Sequence, residues 1–384
     1  MSYVEELLEN VEVEWKTLGE VTELKRGRVM SKQYLKENSG EFPVYSSQTA
    51  NNGEIGKIAT FDFSGEYITW TTDGANAGTV FYRNEKFSIT NVCGLIKINN
   101  VDELNHKFLY YWLSIEAKKY VYSGMGNPKL MSNQIEKIPI PIPPLSIQSK
   151  IVQILDNFTE LTAELTAELT AREKQYEYYR DHLINSASEV IGSYELKKLG
   201  DIAALSGKRI SFEELDESTF VGVDNLLQNK KGKENSNYLP TTGNLTKYKS
   251  GDILLGNIRP YLKKIWHADR EGGASGDVVV IQLTDKSVNS RYIYHALSSD
   301  KFFDYNMQYA KGAKMPRGDR RKILEFEIPI PPLAEQERIV AILDKFDTLT
   351  TTITEGLPRE IELRQKQYEY YRNILLSFNK LEEA

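Results

Sequence analysis

Five side chains that could contact a polyanion or a base edge lie within nine residues in the second half of the chain. The segment GNIRPYLKK at residues 256–264 contains an amide, a phenol and three cations: Asn257, Arg259, Tyr261, Lys263 and Lys264. Cations suit phosphate groups, whereas amide and aromatic groups can pair with or stack on bases. The segment is therefore a candidate nucleic-acid contact. A surface loop with scattered lysines would account for the same residues, and the sequence leaves both interpretations open.

Each half of the chain also contains a glycine- and lysine-rich loop just before a proline-rich segment. The first loop is SGMGNPKLM, with Lys129, and the second is AKGAKMPRGDRRK, with Lys311, Lys314 and Arg317. Glycine allows a backbone to approach a ligand closely, and a neighbouring cation suits a phosphate chain. The equivalent position of the two loops favours a shared function over a chance run of charge.

Two polar loops in the first half could read base edges. They are YSSQTANN at residues 45–52 and TTDGANA at residues 71–77. Hydroxyl and amide groups form hydrogen bonds with bases in the DNA grooves. Solvent-exposed turns have the same composition, so that alternative also stays open. The candidate contacts in these loops are Ser46, Ser47, Gln48, Thr71, Thr72, Asp73 and Asn76.

The chain lacks the residue patterns of common catalytic and cofactor sites. It has no G-x-G-x-x-G or Walker-type loop, its four histidines are scattered singly, and Cys93 is its one cysteine. We therefore predict no metal site, no bound cofactor and no catalysis by this chain. Cys93 lies in the strand-like run NVCGLIKI and is expected to be a buried, small apolar residue. No membrane span or secretory signal is recognised, so a cytoplasmic location is expected.

The net charge of −6 is unevenly distributed. Residues 205–323 have 20 Lys and Arg against 14 Asp and Glu, which gives +6, and residues 14–138 carry +1. Residues 1–13, 139–204 and 324–384 are all acidic. Binding to a polyanion depends on local patches rather than on the overall sign of the charge. DNA therefore remains a possible partner.

These candidate residues must be positioned by a chain that repeats itself. Between the repeated segments, the intervening sequences share almost nothing. The sequence therefore predicts two unlike bodies carried on two copies of one supporting element. The matching pairs are EWKTLGEVTEL at 14–24 with ELKKLGDIAAL at 195–205, IPIPPLSIQSKIVQILDNF from 140 with IPIPPLAEQERIVAILDKF from 328, and KQYEYYR at 174–180 with KQYEYYR at 366–372.

A long helix follows each proline-rich segment. Apolar residues spaced three and four apart predict helices over residues 145–186 and 334–378, each with one apolar seam through which the two helices would pair. Gly356 and Pro358 should interrupt the second helix. The first contains tandem TAEL units at Thr162–Leu165 and Thr166–Leu169. Each unit is about one helical turn, roughly 6 Å, so the array is interpreted as a ruler between the bodies. A simple low-complexity coiled coil is the alternative.

Each body is predicted to be mixed α/β. Strands are expected at 68–70, 78–82 and 93–98 in the first body and at 252–255 and 277–283 in the second. Helices are expected at 107–120 and 291–297. The repeat also predicts that the two chain ends lie near each other. The domain boundaries that we expect are 1–144 for the first body, 145–193 for the first helix, 194–333 for the second body, and 334–384 for the second helix and tail.

The borders, the IPIPPL…Q…IV..LD segments, the TAEL array and both KQYEYYR strings resemble the specificity subunit of type I restriction–modification systems, in particular the subgroup with TAEL repeats. The resemblance covers essentially the whole chain. It implies two α/β target recognition domains with pseudo-two-fold symmetry, separated by two long antiparallel coiled-coil helices. Residues 14–138 and 195–323 would be the recognition domains, each reading one half of a bipartite, asymmetric DNA site with an unspecified spacer.

The resemblance also implies partners and a division of labour. The specificity subunit would be non-catalytic and would bind double-stranded DNA and two modification (methyltransferase) subunits. Those subunits would methylate adenine with S-adenosylmethionine. Restriction (motor-nuclease) subunits would use ATP and Mg²⁺. The chain itself would bind no cofactor.

Two other function classes are weighed against this interpretation. A catalytic DNA enzyme acting alone would need a cofactor loop, which the sequence lacks. A coiled-coil adaptor that binds only proteins is disfavoured by the charge of residues 205–323 and by the paired lysine loops. An assay of the purified chain alone for methyl transfer would test the first class. A salt-dependent interaction with duplex DNA, stronger with the modification subunit present, would distinguish the specificity subunit from the adaptor.

Overall fold

The structure is a computed structural model. It describes residues 3–9, 11–124, 126–186, 195–351 and 355–378. The chain divides into two compact units. The first unit comprises Met1–Leu161 with Gln365–Ala384, and the second comprises Thr162–Arg364. Among the described helices, none has the length and apolarity needed to cross a membrane.

The first unit contains a short N-terminal helix, eight strands and the beginning of the long helix. Residues 50–53 and 117–120 form short 3₁₀ turns. In chain order the elements are α1 (Tyr3–Leu8), β1 (Glu14–Thr17), α2 (Leu18–Val21), β2 (Thr22–Arg26), α3 (Lys32–Glu37), β3 (Ser39–Tyr45), β4 (Glu54–Ile58), β5 (Phe63–Thr71), β6 (Val80–Ile89), β7 (Cys93–Ile98), α4 (His106–Glu116), α5 (Ser132–Ile135), β8 (Pro139–Ile142) and α6 (Leu145–Ser186).

Six of these strands form one sheet, in the order β2-β7-β5-β6-β3-β4. The central strand β5 pairs antiparallel with β6, with Ile68 opposite Tyr82, and antiparallel with β7, with Ile68 opposite Ile96. One face of the sheet packs on α4 and on the first turns of α6 through a core that includes Trp70, Phe108 and Leu155. The predicted strands and helix of the first body are thus confirmed, with longer strands than expected.

The second unit contains ten strands and the remaining helices. Residues 212–214 and 260–262 form short 3₁₀ turns. The elements are β9 (Leu196–Lys198), α7 (Leu199–Ile202), β10 (Ala203–Leu205), β11 (Arg209–Ser211), β12 (Phe220–Val221), β13 (Asn244–Tyr248), β14 (Ile253–Gly256), β15 (Ile265–His267), β16 (Gly272–Ala274), β17 (Val278–Leu283), α8 (Ser290–Leu297), α9 (Asp300–Gln308), α10 (Arg320–Glu325), β18 (Glu327–Pro329), α11 (Leu333–Thr351) and α12 (Gly356–Leu375), the last ending in the first unit.

The second unit builds two four-stranded sheets where the first unit has one six-stranded sheet. Their orders are β10-β17-β14-β15 and β11-β13-β16-β12. Alternate residues of β17 face different cores: Val279 and Ile281 belong to the core with α8, whereas Val278 and Val280 pack with Tyr248 and nearby residues. This two-sided burial follows from the period of two in a strand. The predicted mixed α/β class is confirmed in both units.

The repeated borders make the same contacts in both units. The strand β1 pairs antiparallel with β8, and β9 pairs antiparallel with β18. Beside each pair lies a fully buried glutamine, Gln148 or Gln336. Gln148 accepts from the backbone N–H of Asn105 and donates to the carbonyls of Glu103 and Pro143, each at 2.8 Å. The Gln336 side chain accepts from the backbone N–H of Asn289 at 2.8 Å. It donates to the carbonyls of Ser287 at 3.2 Å and Pro331 at 2.8 Å.

The same correspondence extends to the helix that each glutamine supports. Asn105 caps α4 and Asn289 caps α8, each accepting from two backbone N–H groups with its side-chain oxygen. In the first unit Asp156 accepts from Lys107 at 2.6 Å and from the Tyr111 hydroxyl at 2.7 Å.

In the second unit Asp344 takes the place of Asp156. It accepts from Arg291 at 2.7 Å, and it lies 2.8 Å from Nε2 of the buried His295. Nδ1 of His295 lies 2.9 Å from the Tyr176 hydroxyl, so both ring nitrogens of this buried histidine have partners within the unit. We call these repeated contacts of the strand pairs, caps, glutamines and aspartates the frame.

The first long helix has the predicted bounds and runs without a break through the TAEL units. Its 42 residues correspond to about 63 Å. In the first unit Phe158 stacks on Tyr371 with ring centroids 5.4 Å apart, and in the second unit Tyr176 stacks on Phe346 at 6.1 Å. The second long helix is interrupted, as predicted. It consists of α11 and α12, and α12 begins at Gly356, whose φ is +79°.

Residues near the two chain ends enter one core. Leu7 of α1 lies in the same buried cluster as Leu375 and Leu376, and Phe378 packs against it. This agrees with the predicted proximity of the ends for the residues that the structure describes. Residues 379–384, which complete the predicted tail, lie outside the described part, as do residues 187–193 at the predicted end of the first helix.

Candidate nucleic-acid interface

The structure brings the candidate loops of the first unit together. The backbone N–H of Thr72 donates to the Ser47 hydroxyl at 3.1 Å, which joins the loop after β5 to the loop after β3. The Asn76 amide donates to the Thr49 hydroxyl at 3.2 Å. The loop before α5 joins them, because Leu130 donates its N–H to the Thr72 carbonyl at 2.9 Å. Three separate segments of the sequence therefore form one surface.

Within this surface the structure corrects two predicted contacts. Thr71 and Thr72 are fully buried. The Thr71 hydroxyl donates to the Asn76 carbonyl, and the Thr72 hydroxyl donates to the Val92 carbonyl at 2.8 Å. Their side chains hold the loops in place and cannot reach a base, so their prediction as DNA contacts was wrong. The physical reason is that a threonine at a strand end turns its hydroxyl toward nearby backbone carbonyls.

The other hydroxyl and amide groups of the first loops are half-buried and partly used. The Ser46 hydroxyl accepts from Thr90 at 2.8 Å, and the Gln48 amide donates to the Glu54 carbonyl at 2.5 Å. The Ser47 hydroxyl donates to the Val92 carbonyl. Asn76 and Lys129 are exposed, and half-buried Asp73 lies 3.8 Å from the Lys129 ammonium. Of the predicted first-unit residues, Asn76 and Lys129 are thus the most accessible.

A buried arginine that the sequence did not single out supports this surface. Arg83 on β6 is 2% exposed and donates to the Asn52 carbonyl at 2.7 Å. Its guanidinium lies 3.5 Å from the centroid of the Tyr45 ring. Burial lowers the pKa of Arg83. Arg83 therefore places a buried charge under the turn at residues 51–52, and the only sequence signal was a cation in an otherwise apolar part of a strand.

Backbone strain is concentrated at these loops and at their second-unit counterparts. Left-handed φ values cost roughly 1–3 kcal/mol for residues other than glycine and are common at ligand sites. Among the described residues, the non-glycine positions with positive φ are Asn51 and Asn52 in the first unit and Asn229, Lys230, Arg259 and Lys263 in the second.

In the second unit the two predicted loops also meet. The N–H of Arg259 donates to the Pro316 carbonyl at 2.7 Å, and the N–H of Gly318 donates to the Asn257 carbonyl at 3.1 Å. Lys311 and Arg317 exchange two backbone hydrogen bonds of 2.9 Å. The segment after β14 and the glycine- and lysine-rich loop therefore form one surface. On it, Arg259, Lys314 and the half-exposed Tyr261 face solvent.

Two further predictions were wrong in this unit. Asn257 is 6% exposed, and Lys264 is 9% exposed with its ammonium donating to the Val223 carbonyl at 2.7 Å. Burial lowers the pKa of Lys264. Both residues adjoin β14 and β15, so their side chains point into the unit rather than toward a ligand. Spacing along a loop does not reveal this direction.

The remaining cations of the second surface are accessible but paired. Lys263 lies 2.8 Å from Asp300, Lys311 lies 2.8 Å from Asp319, and Arg317 lies 3.3 Å from Asp277. The Lys311 side chain is 82% exposed and that of Arg317 is 55% exposed. Exposed pairs of this kind contribute little to stability, so a phosphate can replace the carboxylate at small cost.

The two surfaces share one backbone arrangement, despite their different sheets. In the first unit Lys129 forms bridges with Tyr122 and with Asp73, and in the second unit Arg317 forms bridges with Lys311 and with Ile258. In each unit a cation thus sits between its own loop and the segment that follows a central strand. The equivalent placement of the two loops along the sequence corresponds to equivalent placement in space.

The chemistry of the two surfaces is set by exposed cations and by hydroxyl and amide groups. No cluster of metal-binding side chains occurs among the residues that the structure describes. Burial raises the pKa of Cys93 to about 12, so its thiol stays protonated at neutral pH. Exposed cations beside hydroxyl and amide groups suit phosphate contact with adjacent base reading.

Comparison with known proteins agrees with this chemistry. The sequence model of a family described as the type I restriction modification DNA specificity domain matches residues 10–172 and again residues 192–363. The chain belongs to this family. The two matches coincide with the two copies of the frame, so each copy carries one specificity domain.

Full-length relatives share the same description. The EcoR124I/EcoR124II type I restriction enzyme specificity subunit of Escherichia coli is 33% identical over 419 residues, covering 100% of this chain and 98% of that protein. A type I specificity subunit of Mycoplasma pneumoniae is 34% identical over 374 residues, covering 94% and 96%.

A crystal structure of a type I restriction–modification S subunit from M. genitalium has the same fold. It has a TM-score of 0.66 at 16% identity and covers 99% of this chain and 100% of that chain. A chain from a study of complex assembly and conformational transition in the type I system has a TM-score of 0.52 at 14% identity, covering 96% and 99%.

Proposed function

We propose that this chain reads a bipartite, asymmetric DNA sequence on behalf of a type I restriction–modification complex. The first unit's loops at residues 46–52, 71–77 and 127–130 contact one half of the site. The second unit's loops at residues 257–263 and 311–317 contact the other half. The chain acts as a reader and leaves catalysis to partner subunits.

One observation carries the proposal: the same backbone arrangement holds Lys129 in one unit and Arg317 in the other beside loops of unlike sequence. A repeated cation suits the DNA backbone, which is the same at every base pair. Unlike loops beside it suit two different base sequences. A protein that bound only other proteins would have no need for this combination.

The supporting helices have a separate role in the proposal. We propose recognition domains at residues 1–144 and 194–333, with residues 145–193 and 334–384 as spacer and docking helices. The helices bind two modification subunits, which use S-adenosylmethionine, and through them restriction subunits, which use ATP and Mg²⁺. The TAEL array sets the gap between the half-sites. The complex works in the cytoplasm, where it meets DNA.

Exchange of one body tests the proposal. Residues 14–138 are replaced by the corresponding body of another specificity subunit, and the chimera is expressed with modification subunits. Methylated adenines are then mapped across the host genome. We expect one half of the methylated motif to change while the other half and the gap stay the same.

The reciprocal exchange of residues 205–323 is the matched control, and it should change the other half only. Changes in both halves from a single exchange would contradict the assignment of one half-site to each body. If the wild-type complex did not bind duplex DNA in a gel-shift experiment, the result would instead support the alternative, an adaptor that binds only proteins.

A further inference from the structure

A cationic cavity in the second unit adjoins the predicted contact segment at residues 256–264 and shares Lys263 with it. It has a volume of about 290 Å³ and lies between the second half of α6, the turn at residues 229–231, Lys263 and Thr350 of α11. Cations outnumber acids in its wall. The charged lining residues are Lys174, Arg180, Lys230, Lys231 and Lys263 against Glu173 and Glu177.

The acids nearby neutralise some of these cations and leave others uncompensated. Lys230 lies 3.1 Å from both Glu177 and Asp300, and Lys263 shares Asp300 at 2.8 Å. Lys174 and Lys231 are exposed, and neither side chain forms an ion pair or hydrogen bond within the described part of the chain. Two ammonium groups therefore remain available at the mouth of the cavity.

A buried guanidinium, that of Arg180, also lines the cavity. The Arg180 side chain is fully buried. Within the described part of the chain, Nε donates to Asp181 at 3.3 Å and the guanidinium lies 5.4 Å from the centroid of the Tyr176 ring. Nη1 and Nη2 donate to no acceptor among the described residues. A buried cation whose Nη1 and Nη2 groups lack acceptors is unfavourable for folding. It adds positive potential to the cavity that it lines.

The backbone holds the lysines of the turn in place. Asn229 and Lys230 both adopt left-handed φ values, of 57° and 64°. Their N–H groups donate to the carbonyls of Leu262 at 2.9 Å and Lys263 at 2.8 Å. This turn is therefore fastened to the end of the segment that carries Arg259 and Tyr261. Strain that persists in a fastened turn is typical of ligand sites.

The positive charge continues beyond this cavity. A neighbouring cavity of about 660 Å³ shares Lys230 and Lys231. Its other charged lining residues are Lys233, Arg270 and Arg291 against Glu234, Asp269 and Asp347. The two cavities form a cationic band that begins next to the predicted contact loop. Such a band fits a ligand with regularly repeated negative charge better than it fits a single small anion.

We infer that the cavity between α6 and the 229–231 turn binds the phosphate backbone of DNA, next to the half-site contacted by the second unit. Lysine ammonium groups are point charges that bind phosphate groups without the paired geometry that an arginine requires. DNA is also the polyanion that the adjoining loop would contact, so the inference rests on the proposed function. The contact adds affinity without reading sequence.

The test uses the double variant K174Q/K231Q in complex with its modification subunits. Binding is measured by fluorescence anisotropy on a duplex that contains the methylated motif and on an unrelated duplex, over a series of salt concentrations. We expect both affinities to fall by about tenfold at 0.1 M salt, and the slope of log K against log salt to decrease by about 2. The DNA motif that the complex methylates should be the same for the variant as for the wild type.

A matched double variant separates this site from general charge. K286Q/K345Q removes two exposed lysines of the same unit that do not line either cavity. It should leave the salt slope within error of the wild type. An equal effect of both double variants would overturn the inference, because any two charges would then suffice.

Arg180 provides a second readout. R180M removes the buried charge and keeps most of the side-chain volume, so we expect a higher melting temperature together with weaker DNA binding. A purely structural arginine would give a lower melting temperature and unchanged DNA binding, which contradicts its role in the cavity.

The remaining outcomes distinguish the inference from the proposed function. If the wild type binds its motif and K174Q/K231Q binds equally well at every salt concentration, the inference fails and the proposed function stands. Loss of the modification subunits from K174Q/K231Q, with DNA affinity unchanged, would assign the cavity to a protein segment instead. If the wild-type complex shows no preference for any motif, the proposed function fails.

Discussion

One six-stranded sheet carries the candidate loops of the first unit, whereas two four-stranded sheets carry those of the second. The frame beneath them is the same. Gln148 and Gln336 occupy equivalent places, and so do the caps Asn105 and Asn289. A frame that is fixed by its own internal hydrogen bonds imposes few demands on the sheets above it. This comparison explains how two copies could keep one support while their surfaces diverged.

The surfaces differ in charge as well as in sheet topology. The first body carries +1 over residues 14–138, and the second carries +6 over residues 205–323. The first surface is built from hydroxyl and amide groups with one exposed lysine, and the second offers several exposed cations. We therefore expect the second unit to supply more of the salt-dependent affinity and the first unit to depend more on directional hydrogen bonds.

The largest effect is expected where the two units are most alike. Q148A and Q336A each remove a buried side chain that makes three hydrogen bonds, leaving backbone groups unsatisfied. Each should lower the free energy of unfolding of its own unit by about 3 kcal/mol. Denaturant titration measures this loss.

Truncation of exposed Gln33 or Gln228 is the control and should change stability by less than about 0.5 kcal/mol. Tryptophan fluorescence separates the units, because Trp15, Trp70 and Trp112 lie in the first and Trp266 lies in the second. A large loss of unfolding free energy in one glutamine variant and none in the other would contradict the equivalence of the two copies of the frame.

A smaller effect, on the free energy of unfolding at acid pH, should distinguish the second unit from the first. Burial lowers the pKa of His267 to about 4, well below the ordinary value of 6.5. The unfolded chain therefore binds a proton between pH 6.5 and 4 that the folded unit does not, so stability is complete above pH 6.5 and declines as the pH falls toward 4. We expect the second unit to lose about 2 kcal/mol between pH 7 and 5.

Denaturation at pH 7 and pH 5, followed by Trp266 fluorescence, measures this loss. H267Q keeps a polar group beside the Ser290 hydroxyl, which lies 3.0 Å from Nε2 of His267, and it should reduce the pH dependence. Burial also lowers the pKa of His295, so part of the pH dependence should remain. H182Q, at an exposed position in the same unit, should leave the pH dependence unchanged. An unchanged pH dependence in H267Q would exclude His267 as the source.

The smallest effects are expected from removing exposed cations of the two surfaces. K129Q removes one exposed cation of the first surface, and R259Q/K314Q removes two of the second. The salt slope of DNA binding should decrease by about 1 in the first variant and by about 2 in the second. Binding of the full complex to its motif is measured at several salt concentrations.

K36Q serves as the exposed control in the first unit. If K129Q reduced the slope more than R259Q/K314Q does, the first unit would carry more of the electrostatic affinity, contrary to the charge distribution. Altered base preference in K129Q would show that this lysine reads bases as well as phosphate.

Most of the fold could be predicted from the sequence, because its signals are local. The prolines of IPIPP force an extended segment, and the apolar spacing after Leu145 predicts the helix bounds that the structure has. The structure ends α11 at Thr351 and begins α12 at Gly356, close to the break that Gly356 and Pro358 predicted. The division of the second body into two sheets was not predictable, since pairing such as that of β12 with β16 joins segments far apart in the chain.

The candidate interface was predictable only as a set of loops. Thr71, Thr72, Asn257 and Lys264 belong to the predicted segments, yet their side chains are buried. The cavity residues Lys174 and Arg180 lie in a helix for which the sequence suggested only a scaffold role. A loop has no period from which the direction of a side chain can be read. That direction depends on contacts such as the Thr72 hydroxyl with Val92, made across 20 residues of sequence.

The sequence by itself determined the duplication, the long helices and the two unlike bodies, because repeats, prolines and apolar spacing act within a few residues of one another. Only the tertiary structure decided which polar and cationic side chains reach the surface and which lie beneath it. Burial is set by neighbours that the fold brings together from distant segments, and no local pattern carries that information.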